Sequence, residues 1–592
     1  MMRMTETNKF LKERYEKYEI EERMEELVKE NKKLSKENKN LKKKNKHFQS
    51  TKAYKIWQKY ANLKKKSDSK NNKAKKKGTK KNEGVASSDL NSKAKAETKT
   101  KKVKNPKDIR VALISDQFTY DSFKYEFTPI SLHPKTWKKE IKKGKPDLFL
   151  CESTWDGHNY KGNTGPWRFK VIKYYNQEEN RQTLLEIIEY CKEHNIPTVY
   201  WNKEDPPNYK TDRWSAADTS KTFDYVFTSA VECIKHYKKD FNHPNVYPLM
   251  FAGQPRLFNP LNLSNETIEE VVFAGSYNPR HKERVILMER IMDKIIEEWK
   301  NIRIYDRNYF KTWGKFPEKY QQYILPPIPY DETPNLYKKM KWGLNFNTVT
   351  CSETMFARRV FELSLTNTLI LTNYSKGVER IFGDNVFYFD KTDELPDFNN
   401  DYEEKRLNNL YNVLENHTYA KRWREILDTI GFEYEERKEE ITVIFKLNEL
   451  DDLNNVESVI ERFNNIDYED KILRILISSS ISDDNASIDI GQIKEKYPEI
   501  DKIYIEKDGD YKKNIKKDIK TDYWIIISDA LEDDFIKKAI LHYQYLNRKV
   551  SICKGEEKFK LGLKDNIENM LITKERLDLL DNEDLEIETY SI

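Results

Sequence analysis

The chain of 592 residues is too long for one hydrophobic core, and the usual size of domains predicts about three or four units. Its net charge of +7 divides into +12 between Lys64 and Lys104 and −5 elsewhere, so we expect no nucleic acid on the mildly acidic folded part. Five cysteines without metal-like or paired spacing, no secretory signal and no membrane-spanning apolar run predict a cytoplasmic protein.

Residues 1–62 carry a heptad pattern. Apolar side chains recur every seven residues, and asparagines recur every seven residues at a second position. The two sets are Leu27, Leu34, Leu41 and Phe48, and Asn31, Asn38 and Asn45. Asparagine at the a position restricts strand number and register, so we predict a parallel coiled coil that forms a homodimer. The alternative is a solvated single helix, because three buried amides weaken the association.

Residues 63–107 are rich in lysine and lack apolar periodicity, which predicts a disordered linker. A second interpretation is that the lysines are attracted to anionic lipid or to an anionic polymer such as teichoic acid. If the lysines are attracted to anionic lipid, the protein would be peripheral at the inner face of the membrane.

From Ile109 onward, apolar strands alternate with helical segments, which predicts an α/β fold with parallel sheets. Residues 108–255 form the first predicted domain, with strands in IRVALIS, DLFLCES, IPTVYWN, YVFTSA and NVYPLM. Residues 256–435 form the second, with strands in VVFAGS, IRIYDR, WGLNFN, LILTN and VFYFD. Two tandem Rossmann-like domains predict a ligand between the carboxyl ends of the two sheets.

Two acidic turns follow strands of the first domain. Glu152 begins the turn ESTWDG, and Glu204 and Asp205 lie in the turn WNKEDP. Carboxylates beside tryptophan are typical of sugar sites, because the ring covers an apolar sugar face while the carboxylates accept hydroxyls. We therefore predict an acceptor site here, with these three carboxylates as catalytic candidates. The alternative is a pair of capped turns, with Asp205 at a helix start.

Residues 354–383 of the second domain predict a helix, a strand, a glycine turn and a second helix. Arg358 and Glu362 share one face of the first helix, and Arg359 is also a neighbour of Glu362. The turn Ser375-Lys376-Gly377 offers backbone N–H groups and a lysine to an anion. A carboxylate for sugar hydroxyls beside donors for phosphate predicts a nucleotide-sugar site.

A second glycine turn, Gly275-Ser276, follows the strand VVFAG of the same domain. Glycine permits a phosphate to approach the backbone closely, and Arg280, Lys282 or Arg284 can neutralise its charge. The alternative is a tight turn before a solvated basic helix.

Several segments carry a family resemblance. FAGSYNPRHKER, IYDRN, TMFARRVFE and ENHTYAKR, with LFLCESTWDGH and YWNKEDP upstream, resemble CgeB-like (spore-maturation-type) glycosyltransferases and related teichoic acid glycosyltransferases. The resemblance runs from about Ile109 to Leu427. Glu362 looks like the second glutamate of the E-x7-E region of retaining GT-B enzymes. The sequence departs from that pattern at Thr354, where the first glutamate would fall, and at residues 364–367, which are bulkier than the usual small segment.

This resemblance implies a metal-independent, retaining GT-B enzyme that needs no cofactor besides its nucleotide-sugar donor. It implies phosphate contacts from Arg284, Arg359 and Lys376, a ribose contact from Glu362, and a base contact near Tyr330. The full set of implied donor residues is Gly275, Ser276, Arg284, Arg307, Tyr330, Arg359, Glu362, Ser375, Lys376 and Gly377.

Residues 436–592 predict a further, smaller α/β domain, whose order of strands and helices resembles a reduced GT-A-type glycosyltransferase domain. Where active members carry a D-x-D metal motif, the sequence reads Ser528-Asp529-Ala530. Asp533 and Asp534 follow at a predicted helix start, where the helix dipole favours acidic residues. We therefore predict no metal site and a noncatalytic domain.

The sequence as a whole predicts a glycosyltransferase that moves a sugar, from a UDP-sugar or similar donor, to a cell-surface glycopolymer of the teichoic acid type or to a lipid-linked acceptor. Two alternatives remain. One is a nucleotide-sugar epimerase of GT-B fold, and the other is a noncatalytic scaffold built from transferase domains.

Overall fold

The computed structural model describes residues 103–160, 165–263, 267–392, 394–449, 455–482, 490–581 and 586–592. The predicted coiled coil and residues 63–102 of the predicted linker lie outside the described residues. The end of that linker differs from the prediction of disorder: Lys104 Nζ pairs with Asp147 at 2.6 Å, and Pro106 is buried. Among the helices that the structure describes, none combines the length and apolar character needed to cross a bilayer.

The first α/β part contains a six-stranded parallel sheet. Its elements are β1 (Arg110–Ile114), α1 (Gln117–Phe123), β2 (Thr128–Ser131), α2 (Trp137–Gly144), β3 (Leu148–Glu152), β4 (Lys173–Tyr174), α3 (Gln182–Glu193), β5 (Thr198–Asn202), β6 (Trp214–Ser215), α4 (Ala217–Ser220), β7 (Tyr225–Thr228), α5 (Ile234–Phe241) and β8 (Val246–Pro248). The order is β2-β1-β3-β5-β7-β8, while β4 and β6 form a separate antiparallel pair. The five predicted strands are present because continuous apolar runs suit a sheet buried on both faces. The polar, partly exposed β2 was not predicted.

The second part repeats this architecture. Its elements are β9 (Ile268–Gly275), α6 (Lys282–Glu298), β10 (Ile302–Asp306), β11 (Ile324–Leu325), α7 (Thr333–Tyr337), β12 (Met340–Asn345), α8 (Arg359–Leu365), β13 (Leu369–Thr372), α9 (Lys376–Phe382) and β14 (Phe387–Tyr388). All six strands are parallel in the order β11-β10-β9-β12-β13-β14, which is the order of dinucleotide-binding Rossmann folds. The predicted α/β class and the tandem Rossmann-like sheets are confirmed.

Two helices follow the second sheet, α10 (Glu403–Asn416) and α11 (Tyr419–Thr429). The break lies at Thr418, whose side chain caps α11 by accepting a hydrogen bond from Lys421 N. Helix α11 returns to the first part of the chain: Tyr419 packs on Phe123, with ring centroids 4.8 Å apart. The two Rossmann-like parts are therefore held together by a helix from the end of the second.

The last part contains a mixed sheet of eight strands. Its elements are β15 (Ile441–Leu447), α12 (Val456–Asn465), β16 (Lys471–Ile477), α13 (Ser479–Ser482), α14 (Ile490–Lys496), β17 (Ile500–Ile505), α15 (Tyr511–Asp518), β18 (Tyr523–Ile527), α16 (Phe535–His542), β19 (Ser551–Cys553), β20 (Leu561–Lys564), β21 (Met570–Thr573) and β22 (Ile587–Ser591). The four predicted strands, β15 to β18, are parallel, and β21 extends them antiparallel to β18. Short 3-10 helices among the described residues are Pro106–Asp108, Val231–Cys233, Glu318–Tyr323, Tyr330–Glu332, Gly383–Asn385 and Lys574–Asp581.

Candidate active site

A cavity of about 750 Å³ lies between the carboxyl edges of the two parallel sheets. Asp116 follows β1 and Trp155 follows β3 on one wall, while Ala274 in β9 and Arg307 after β10 lie on the other. The strand order of the first sheet reverses between β1 and β3, and that of the second between β9 and β12. Ligands of open α/β sheets bind where the order reverses, so this cavity is the candidate site.

The second domain contributes three arginines to the site, the arginine cluster (Arg284, Arg307 and Arg359). Among the described residues, none of the three has a carboxylate partner within ion-pair distance. Arg359 Nη2 donates to Ala274 O, and Arg284 Nη1 donates to Ser276 O at 3.4 Å. The Nε atoms of Arg284 and Arg359 are buried without a hydrogen-bond partner.

The electrostatics of the arginine cluster favour the binding of an anion beside it. Burial, followed by the charges of Arg359 and Arg307, lowers the pKa of Arg284 to about 10. Desolvation, followed by Arg359 and Arg358, lowers the pKa of Arg307. Like charges that share a partly buried wall repel one another, which is unfavourable when no anion is bound. The same guanidinium groups bind phosphate oxygens well, because they form charge-assisted hydrogen bonds with them.

Glu362 lines the same wall, on α8. Arg358 Nε lies 3.1 Å from its Oε1 atom, and Tyr330 Oη donates to the same atom at 3.1 Å. The Arg358 guanidinium also lies 3.9 Å from the ring centroid of Phe118, which belongs to the first domain. Glu362 is thus held in place by its neighbours, and a carboxylate has further lone pairs that can accept hydroxyl hydrogen bonds.

The opposite wall carries carboxylates and an indole ring, from Asp116, Asp121, Asp156 and Trp155. Asp116 is fixed by Lys203 Nζ at 2.7 Å and by the Thr154 hydroxyl. Burial alone would raise the pKa of Asp116, but the Lys203 charge and these hydrogen bonds outweigh it and lower the pKa. Asp121 is likewise paired with Lys124 at 2.9 Å, and Asp156 with Arg168 at 2.6 Å. The cavity therefore has a cationic wall from the second domain and, from the first, a wall whose carboxylates are ion-paired.

The structure corrects the assignment of Glu152. This residue ends β3, is 1% exposed and does not line the cavity. Its Oε1 atom lies 2.8 Å from Lys203 Nζ and accepts a hydrogen bond from Asp116 N at 2.8 Å. Glu152 therefore orders the strand ends behind the site and holds Lys203 against Asp116, so it does not meet a substrate.

Asp205 is also wrongly assigned as a catalytic candidate. It is fully buried, and three side chains donate to it: Asn202 at 2.8 Å, Thr228 at 2.6 Å and Tyr237 at 2.7 Å. Residues 203–208 form turns, as in the alternative of a pair of turns, but no helix starts at Asp205. Asp205 braces the strand ends of the first sheet because its carboxylate satisfies three donors at once.

Burial raises the pKa of Asp205 to about 7, and this shift predicts a pH-dependent contribution to stability. An unfolded aspartate releases its proton near pH 4, so between about pH 4 and 7 only the folded state keeps that proton. The contribution is therefore present below about pH 4 and is lost as pH rises towards 7. We expect the unfolding free energy of wild type, relative to Asp205→Asn, to fall by about 2 kcal/mol from about pH 5 to pH 7 in urea titrations. Glu152 titrates in both proteins, so its contribution cancels in the comparison. A difference in unfolding free energy that does not change with pH would contradict the raised pKa of Asp205.

Glu204 is the one residue of the three catalytic candidates that borders open space among the described residues. It lines an adjoining cavity of about 300 Å³, together with His281 and Phe346, and Asn208 Nδ2 donates to it at 2.9 Å. This cavity shares Phe118 with the larger one. Burial, followed by the charges of Arg284 and Arg280, lowers the pKa of His281, so its ring is neutral at neutral pH. The Arg284 guanidinium lies 5.9 Å from the Phe346 ring, so the arginine cluster adjoins both cavities.

The turn Ser375-Lys376-Gly377 is not part of either cavity. Lys376 Nζ pairs with Glu353 at 2.7 Å, and Ser375 is fully buried. A side chain at Gly377 would meet Phe356 at 2.6 Å and Glu353 O at 2.9 Å, so this glycine is needed for packing. The implied phosphate contacts from this turn are therefore corrected: glycine serves close packing of α9 on the chain segment before α8.

The remaining predicted donor residues are brought together. Arg307, Tyr330, Arg359 and Glu362 line the larger cavity, and Arg284 lies behind them. Gly275 and Ser276 lie at the end of β9, where Ala274 rather than either of them lines the cavity. A side chain at Gly275 would meet the Phe273 ring at 2.4 Å, so this glycine is needed for packing.

Sequence reasoning missed Asp116, Phe118 and the placement of Arg358. The first two follow β1, and the ligand predicted at the carboxyl ends of the sheets was a signal for them. No sequence signal places Arg358 against Phe118, because that contact joins residues 240 positions apart across two domains.

Residues 284–428 match the model of a family described as glycosyl transferase-like. This segment contains Glu362 and all three members of the arginine cluster. No curated protein matches the chain in sequence.

Solved structures with a similar fold include an α-glucosyltransferase in complex with UDP and a DNA 13-mer, at 11% identity and a TM-score of 0.36, covering 55% of this chain and 100% of that one. A second is a TarM variant of S. aureus in complex with fondaparinux, α-GlcNAc-glycerol and UDP. The match covers 43% of this chain and 59% of that one, at 12% identity and a TM-score of 0.31. A third is a UDP-GlcNAc 2-epimerase of Methanocaldococcus jannaschii. The match covers 55% of this chain and 99% of that one, at 12% identity and a TM-score of 0.28. These scores are too low to bear on the site.

Proposed function

We propose that this protein is a glycosyltransferase that moves a sugar from a nucleotide-sugar donor, a UDP-sugar or similar, to a glycopolymer of the teichoic acid type or a lipid-linked acceptor. The observation that carries the proposal is the arginine cluster. The guanidinium groups of Arg307 and Arg359 line a cavity in the segment that matches the glycosyl transferase-like family, and Arg284 lies behind them. Among the described residues none of the three has a carboxylate partner, as a diphosphate site requires.

The donor is proposed to extend along the cationic wall. Glu362 would accept the ribose hydroxyls, the arginine cluster would hold the diphosphate, and Tyr330 with Ile328 would contact the base. In the reaction the bond between the anomeric carbon and the diphosphate oxygen breaks, and the acceptor hydroxyl oxygen forms the new bond to that carbon. The hydroxyl proton passes to the carboxylate of Glu204, and the diphosphate departs with the electron pair of the broken bond. The arginine cluster stabilises the charge that develops on the departing diphosphate, because its donors are already oriented.

The acceptor is proposed to enter from the first domain. Glu204 and the neutral His281 face the adjoining cavity beside the arginine cluster, where the donor sugar and the acceptor hydroxyl would meet. Glu204 is the carboxylate that we assign to the acceptor hydroxyl, as its hydrogen-bond acceptor. Holding both reactants beside the arginine cluster supplies proximity as well as charge stabilisation.

Four further parts of the proposal come from the sequence: catalysis without a metal ion, retention of anomeric configuration, a homodimer through residues 1–62, and a cytoplasmic protein peripheral at the inner membrane face. Retention is tested by the configuration of the product, and metal independence by activity in excess chelator.

Thermal unfolding with added nucleotides is the first test. UDP at about one hundred times its dissociation constant should add about 2.7 kcal/mol to the unfolding free energy, and uridine at the same concentration should add much less because it lacks phosphates. Absence of stabilisation by UDP and by UDP-sugars would contradict the proposal and favour a noncatalytic scaffold.

Product analysis then separates the enzyme classes. We expect UDP release from a UDP-sugar to require an acceptor polymer or lipid. Conversion of the UDP-sugar into an isomer without an acceptor would instead assign an epimerase, since that reaction needs the donor site alone.

A further inference from the structure

Exposed aromatic side chains gather at the mouth of the larger cavity. The described residues leave seven large apolar or aromatic side chains exposed, and five of them lie in two segments beside this mouth. They are Phe169 and Tyr175 in the first segment, and Tyr309, Phe310 and Trp313 in the second. Arg168 and Arg307, which line opposite walls of the cavity, begin these segments. Phe169, Tyr309 and Phe310 therefore lie within three residues of side chains that line the cavity.

The second segment, the aromatic loop (residues 307–315), is held with these side chains pointing outward. Asn308 Nδ2 donates to Gly314 O at 3.4 Å and to Tyr277 O at 3.5 Å, which closes the loop on the domain. Phe310 is nevertheless 80% exposed and Trp313 55% exposed. Apolar groups that a fixed loop keeps in water mark an interaction surface.

The charge of the aromatic loop selects the kind of partner. Arg307, Lys311 and Lys315 are its charged residues, so the loop is purely basic. Lys311 Nζ lies 5.2 Å from the Trp313 ring centroid, and Lys315 Nζ lies 5.6 Å from that of Tyr309. The ammonium groups cover the ring faces that a sugar would stack on. Exposed Phe and Trp tips with lysines behind them match the apolar and anionic layers of a lipid bilayer surface.

We propose that the aromatic loop, with Phe169 on the opposite lip, docks the cavity mouth onto an anionic lipid bilayer. Phe310 and Trp313 enter the interfacial layer, and Lys311 and Lys315 meet lipid phosphates. This surface lies in the folded part of the chain and is distinct from the lysine-rich linker. A membrane-bound acceptor would then meet the cavity directly, a consequence that rests on the proposed function, whereas docking itself does not.

Fluorescence quenching with the full chain tests insertion. Vesicles of phosphatidylcholine and phosphatidylglycerol carrying bromine on their acyl chains should quench the wild type, and quenching should drop clearly in Trp313→Phe. Pelleting with the same vesicles should weaken about ten-fold or more in Phe310→Ser/Trp313→Ser, because two large apolar groups lose their burial. Val103→Ser, at another exposed apolar position, should pellet like wild type.

Equal quenching of wild type and Trp313→Phe would overturn the proposal, even if the linker carries the protein to vesicles. Binding to soluble polyphosphate, lost in Phe310→Ser/Trp313→Ser and without vesicle insertion, would assign the surface to an anionic polymer and also overturn it. Stabilisation by UDP should be unchanged in Trp313→Phe and in Phe310→Ser/Trp313→Ser. Loss of UDP binding in wild type would therefore contradict the proposed function without affecting membrane docking.

Discussion

Replacing Arg284 with methionine is expected to weaken UDP binding about ten- to one-hundred-fold, because a hydrogen bond to a charged group contributes about 1.5 to 3 kcal/mol. The same change should leave the melting temperature of the ligand-free protein unchanged or higher. Arg284 makes one long hydrogen bond, to Ser276 O at 3.4 Å, and it is repelled by Arg359 and Arg307. Isothermal titration with UDP and thermal unfolding without ligand measure the two effects.

The matched control is Arg290→Met, on the exposed face of the same helix. It should change neither UDP affinity nor the melting temperature. If Arg284→Met destabilised the ligand-free protein strongly while UDP affinity stayed at the wild-type value, Arg284 would be a structural residue and the diphosphate site would have to lie elsewhere.

Glu362→Gln is expected to have the largest effect on stability, lowering the unfolding free energy by about 3 kcal/mol. Glu362 is 7% exposed, and its removal leaves the Arg358 guanidinium without its counter-charge at the domain boundary. The variant should also bind UDP more weakly, because the proposed ribose acceptor is lost. Denaturant unfolding and UDP titration measure these outcomes, with the exposed Glu297→Gln as the control.

A double variant separates the two roles of Glu362. In Arg358→Met/Glu362→Gln the uncompensated charge is gone, so most of the lost stability should return, while UDP affinity should stay low. A ribose probe sharpens the test: wild type should bind 2′,3′-dideoxy-UDP about ten-fold more weakly than UDP, and both variants should bind them equally. Discrimination that persists in the double variant would show that another residue holds the ribose.

Much of the fold was predictable because its signals are local. Continuous apolar runs such as LFLCE became β3, with all five residues buried, and the alternation of strands and helices was enough to predict two parallel sheets. Strands of few residues without an apolar run, such as Ile324–Leu325, were not predictable. They form because a neighbouring strand already offers hydrogen-bond partners, and that neighbour is set by the fold.

The candidate site was predictable on one side only. Arg359 and Glu362 share a helix, so their spacing placed them together, and both line the cavity. The predicted phosphate contact from Lys376, in the glycine turn, was wrong for a different reason. Lys376 is paired with Glu353, and both lie outside the cavity, which depends on how α9 packs against the chain before α8.

By itself the sequence determined the α/β class, the two Rossmann-like sheets and the arginine and glutamate of α8, because apolar patterning and helical spacing act over a few residues. Only the tertiary structure decided which carboxylates face the ligand. Glu152 forms an ion pair with Lys203. Asp205 accepts hydrogen bonds from Asn202, Thr228 and Tyr237. Asp116 and Glu204, by contrast, line the cavities. Each of these outcomes depends on donors brought in by other strands and helices, and a buried carboxylate keeps whichever partners the fold brings within hydrogen-bond distance.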